Sequence, residues 1–126
     1  MKKNTAESGK TISVTIINEV EEADIWILPQ TEENLKTSLW GTPTISKLKS
    51  GERKTVGING SSEKYIVRII DVDHAYYSAN DIVLGDNYTI QFQTNESKYE
   101  ASIVTSDTSG NAVTSENTFQ GVLGAN

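Results

Sequence analysis

Apolar residues in this chain recur at every second position, in runs too short for helices. In "ISVTII" the residues Ile12, Val14 and Ile16 share one face, and Ser13 and Thr15 take the other. That period of two is the mark of a strand with one buried side. "NYTIQFQ" repeats it, with Tyr88, Ile90 and Phe92 against Thr89, Gln91 and Gln93, and "YEASIV" repeats it through Tyr99, Ala101 and Ile103. "TVGI" turns Val56 and Ile58 inward. "DIWIL" is apolar on both faces, which predicts a central strand, and Pro29 ends it because proline cannot donate to a ladder. "YIVRII" sets Tyr65, Val67 and Ile69 against Ile66, Arg68 and Ile70.

Turn-forming clusters separate these runs: "KSGERK", "INGSSEK", "LGDN", "TNESK" and "SDTSGN". One helical stretch interrupts them, "TEENLKTSLW", where Thr31 can cap and Leu35 and Leu39 share a face. Short strands, close turns and one helical segment predict an all-β fold. It is a single antiparallel β-sandwich of about seven or eight strands with a short helix between two of them. At 126 residues one domain is expected. Residues 1–10 read as a flexible N-terminal stub and residues 11–126 as the domain. The polar stretch 106–117 reads as a long mobile loop, and the segment around Phe119 as a last edge strand.

A net charge of -6 opposes nucleic acid and anionic membranes as main partners. The basic residues Lys47, Lys49, Arg53 and Lys54 are interrupted by Glu52 and read as a solvated loop. The chain has no cysteine, which removes disulfides, thiol nucleophiles and thiolate metal sites. No segment has the length of a transmembrane span. The start "MKK" lacks a following apolar core, so the reading is a mature secreted or cell-envelope chain whose leader is absent, with a cytoplasmic location left open.

Chemistry gathers in "RIIDVDHAYY", residues 68–77. Asp71 and Asp73 stand two apart at a strand end, as two carboxylates sharing a calcium ion from one loop would. Asp81 and Asp86 follow in "ANDIVLGDN", and the four aspartates form the candidate calcium set; the bland alternative is an acidic, turn-rich strand end. Arg68, inside an apolar strand, needs a partner, and Asp71, Asp73 or a cross-strand Glu is the natural one. His74 is the single histidine. A hydrolytic triad around it would need a strand-to-helix nucleophile motif that the serines here do not form. The doublets Glu21–Glu22 and Glu32–Glu33 lie in loops where neighbours point apart, unlike a glycosidase pair. Trp26 reads as buried. Trp40, Tyr76 and Tyr77 are the loop aromatics that could stack on a ligand.

Read together, "VTIINEVEEADIWILPQTEENLKTSLWG", "LKSGERKTVGI" and "YIVRIIDVD" resemble uncharacterised bacterial secreted and lipoprotein-type β-sandwich domains, over roughly residues 12–94. The matching positions are Trp40, Gly41, Leu48, Gly51, Val67, Arg68 and Asp71. The resemblance implies an exported, noncatalytic all-β domain, although no lipobox cysteine is present. The expected function is thus a noncatalytic extracellular or cell-envelope module that binds a protein or glycan through Trp40, Tyr76, Tyr77 and the acidic loop. A structural subunit pairing through edge strands is the alternative, and a small hydrolase a minor one.

Overall fold

The computed structural model describes residues 10–37, 41–94, 101–117 and 119–122. They form two five-stranded sheets facing each other. The strands are β1 (Thr11–Asn18), β2 (Ala23–Pro29), β3 (Ile45–Leu48), β4 (Arg53–Asn59), β5 (Tyr65–Asp71), β6 (Ala75–Ile82), β7 (Tyr88–Thr94), β8 (Ala101–Ser106), β9 (Ala112–Asn117) and β10 (Phe119–Val122). Sheet A has the order β4-β1-β7-β8-β9, and sheet B the order β10-β6-β5-β2-β3. This is the expected all-β sandwich, with ten strands and one parallel pair, β1 with β7. No tight hairpin joins those two distant segments, so nothing imposes the antiparallel direction.

Alternation builds the core. Ile12, Val14 and Ile16 of β1 meet Ile25 and Ile27 of β2, Val67 and Ile69 of β5, Ile90 and Phe92 of β7, and Ile103 of β8. Tyr77 and Phe92 pack edge-to-face with ring centroids 4.8 Å apart. Sheet B buries residues on its outer side as well: Trp26, Ile66 and Arg68 are buried, though they point away from the core cluster. The connection after β2 returns to Trp26, whose indole donates to the Gly41 carbonyl at 3.1 Å. Within it sits the expected helix, α1 (Glu32–Lys36), one turn long, with the Thr31 hydroxyl accepting from the Asn34 amide. Leu35 stays exposed, and Leu39 falls outside the described residues.

The stretch 106–117 is not a long loop. β8 runs to Ser106, Asp107 closes a tight turn by accepting from the amides of Ser109 and Asn111, and β9 follows. β9 is defined by its pairing with β8, and its first two residues, Ala112 and Val113, are both exposed. β3 was equally unmarked in the sequence, being only four residues long. The strand expected around Phe119 is present as β10, at the edge of sheet B. No helix among the described residues is long and apolar enough to cross a membrane.

Candidate functional site

β5 ends at Asp71 and β6 begins at Ala75, so three residues, Val72, Asp73 and His74, turn the chain. The His74 amide donates to the Asp71 carbonyl at 2.9 Å, and His74 itself is left-handed at φ 65°. A type I turn followed by a left-handed residue is the usual three-residue hairpin closure. The Asp71 side chain holds it together. Its Oδ1 accepts from the amides of Asp73 and Ala75, and its Oδ2 from the Tyr77 hydroxyl. The buried "D" of the motif is therefore the staple of its own turn.

A second irregularity lies across β2. Ala23 faces Leu48 and Ile25 faces Ile45, which leaves Ser46 and Lys47 together opposite Asp24. This is a β-bulge, with Lys47 left-handed at φ 55° and its amide bound to Asp24 Oδ1 at 2.8 Å. Bulges re-aim side chains and gather at sheet edges and functional sites. Buried Asn18 ties the neighbouring turns: its amide group donates to the carbonyls of Glu21 and Leu48 and accepts from the Val20 amide.

Between the hairpin turn and the bulge opens a cleft of about 230 Å³, lined by Glu22, Ala23, Asp24, Lys47, Ile70, Asp71, Val72 and His74. Acidic, basic and apolar residues thus share one lining, together with the single histidine. Beside it, oxygens of Glu21, Asp71 and Asp73 lie within 4.8 Å of one another. Those three are the described residues that could share a metal ion. Asp71, however, has three of its roughly four lone pairs engaged by the turn.

The sequence-derived set divides. Asp71, Asp73 and His74 come together as expected, joined by Glu21, Glu22, Asp24 and Lys47. Asp81 and Asp86 do not join them, because both serve the opposite end of the sandwich. Asp81 sits in a β6 bulge by the Tyr65 end of β5, exchanges hydrogen bonds with Gln30 and meets Lys64 at 3.5 Å. Those bonds, Gln30 first and then Lys64, hold its carboxyl below the usual range. Asp86 accepts from the Ser13 amide near the start of β1. A four-aspartate calcium set is therefore not assembled.

The aromatic set changes too. Tyr77 is 1% exposed and faces the core, so it cannot serve as a surface ligand contact. Burial first, then the charge of Asp71 and the hydrogen bond to it, raise its hydroxyl well above the ordinary tyrosine range. Tyr76 is half-buried on the outer side of sheet B, opposite Ile70. Trp40 lies outside the described residues. Arg68 donates from Nε to the Ser78 hydroxyl at 2.8 Å. Asp71, three positions along the same strand, takes the other face, so strand parity rules out the pairing expected between them.

Asp24 and Lys47 were missed as a pair because a bulge, which carries no periodic signal, brings them together. The acidic doublet before "ADIW" was the available clue for Glu22. No protein-family model, curated protein or solved structure matches the chain.

Proposed function

We propose that the chain is a noncatalytic binding module whose cleft at the end of sheet B receives one basic side chain of a partner protein. The observation that carries this reading is the cleft itself, whose lining combines the acidic residues Glu22, Asp24 and Asp71 with Ala23, Ile70 and Val72. Its volume of about 230 Å³ suits a single side chain rather than a whole small-molecule ligand. A lysine or arginine lays its methylenes on apolar surface and offers its charged head to carboxylates, which matches this lining. The rim is preorganised by the Asp71-stapled turn and the Asp24-held bulge, so little entropy is lost on docking.

Catalysis is disfavoured because the Asp71 carboxylate, which staples the His74 turn, already accepts three hydrogen bonds. Assembly through edge strands ranks behind docking because three of the four edges among the described strands are blunted. β3 and β10 are four residues each, and β4 carries Arg53 and Lys54. The resemblance to exported β-sandwich domains supports an extracellular or cell-envelope setting.

Titration of the isotopically labelled protein with tetralysine and tetraglutamate peptides tests the docking. Tetralysine should shift the amides of Glu22, Asp24, Lys47 and Val72 to His74, more weakly at high salt, and Glu22→Gln should reduce the response. Equal shifts with tetraglutamate, or shifts scattered over the surface, would overturn the reading.

A further inference from the structure

The acidic cleft and the start of β1 lie at opposite ends of the sandwich. β1 begins at Thr11 beside Asn59, and the Lys10 carbonyl accepts from the Gly60 amide. The Asn59 carbonyl accepts from the Tyr65 hydroxyl, so this is the end at which β5 starts. The cleft is at the other end, where β5 stops at Asp71. β1 stops there too, and its last residue, Asn18, donates to the Leu48 and Glu21 carbonyls. The eight residues of β1 separate the two ends by about 24 Å at the strand rise of about 3.4 Å.

Ahead of β1 the sequence carries Lys2 and Lys3, one of its two adjacent basic pairs; the other is Arg53–Lys54 on β4. Neighbours on a strand point to opposite faces, so β4 cannot offer both cations to one cleft. From Lys3 to Lys10 a chain reaches at most about 25 Å when fully drawn out. Lys3 would thus meet the cleft of its own molecule only with every residue between extended, at the largest entropy cost. A second copy removes that demand. The charges also match. The cleft and the cluster beside it hold Glu21, Glu22, Asp24, Asp71 and Asp73 against Lys47, whereas Glu7 is the one acidic residue among positions 1–9. Lys47 is exposed, and the bond that Asp24 makes to it is to its backbone amide.

We infer that the basic side chain received by the cleft is Lys2 or Lys3 of a second copy of this chain. The inference rests on the docking reading above and names its partner. Cleft and chain start are different surfaces at opposite ends, so the contact is head to tail, and a pair still has one of each unused. Association should therefore continue past the dimer as concentration rises. Two bodies of net charge -6 repel each other, so the contact is confined to the local basic segment and the acidic cleft.

The test uses isotopically labelled Lys2→Gln/Lys3→Gln chain, whose own start lacks the cations, mixed with unlabelled protein of unchanged sequence. The unlabelled chain should shift the amides of Glu22, Asp24, Lys47 and Val72 to His74, and less at high salt. Unlabelled Lys2→Gln/Lys3→Gln chain should shift them about tenfold less. Glu22→Gln in the labelled chain should weaken the response from the receiving side. Sedimentation should show a mass that rises with concentration for the unchanged sequence and not for the double variant. Tetralysine added to the same labelled sample separates the two readings. Cleft shifts with tetralysine but none with the unlabelled chain would overturn this inference and leave the docking reading standing; silence to both would overturn both. Equal shifts from the two unlabelled chains would also overturn it. So would cleft amides that differ between the unmixed chains by an amount independent of concentration, which would put Lys2 or Lys3 in its own cleft.

Discussion

Asp71 carries two backbone amides and one phenol on a single buried carboxylate, and this decides how its substitutions should behave. Asparagine at 71 can still accept both amides through its oxygen and donate to the Tyr77 oxygen. Asp71→Asn should therefore cost only about 1 kcal/mol, and Asp71→Ala about 3 kcal/mol, because alanine leaves all three donors without their acceptor. Urea unfolding measures both, and the order should be the same in calcium and in EDTA. An Asn variant as damaged as Ala, or a loss confined to calcium buffer, would return the carboxylate to a metal role. The motif was legible in the sequence as an acidic strand end. Its true partners were not, because Tyr77 was read from its neighbour Tyr76 as a surface aromatic. Alternation along β6 puts those two tyrosines on opposite faces, one against Phe92 and one beside Ile70. Asn18, buried and bonded three times, left no sequence signal beyond being a polar residue at the end of an apolar run.

Where pairs of strands meet, the irregular residues matter more than the regular ones. The three-residue hairpin between β5 and β6 places histidine in a left-handed conformation that costs a side-chain residue roughly 1–2 kcal/mol. His74→Gly should relieve this and stabilise the protein by about 0.5–1 kcal/mol after the added freedom of the unfolded glycine is counted. A rise in the thermal midpoint measures it, and a fall would mean that the ring, not the backbone, holds the turn. β1, β2, β5 and β7 were readable because each has a face in the core, and burial enforces the alternation. β3 and β9 were not, since one is short and bulged and the other begins with two exposed residues, Ala112 and Val113. Gly60 shows a further constraint invisible to periodicity: a Cβ there would lie 2.7 Å from Cγ2 of Ile12, against the first strand.

Across the whole sandwich, the two faces divide their chemistry. Sheet B carries the charged cleft and the Trp26 contact with Gly41, and sheet A carries the exposed hydroxyl pair of Thr15 and Thr55. The core between them links stability to alkaline pH. Tyr65 and Tyr77 are both raised above the ordinary tyrosine value of 10.0, each chiefly by burial. The folded state therefore keeps phenolic protons that the unfolded chain releases. Stability is full below pH 10 and should fall as pH rises past it, by up to about 1.4 kcal/mol per unit for each hydroxyl. Denaturant titrations from about pH 8 to about pH 12 measure the slope, and Tyr77→Phe should make it shallower. An unchanged slope in that variant would assign the alkaline loss to other groups. The parallel pairing of β1 with β7 has a consequence in time rather than in space. A chain leaving the ribosome presents β1 before either partner, β4 on one side and on the other a strand begun at Tyr88. Until that segment has been made, the Ile12, Val14 and Ile16 stripe lacks its completed sheet, so the closing of sheet A waits on contacts far apart in the chain.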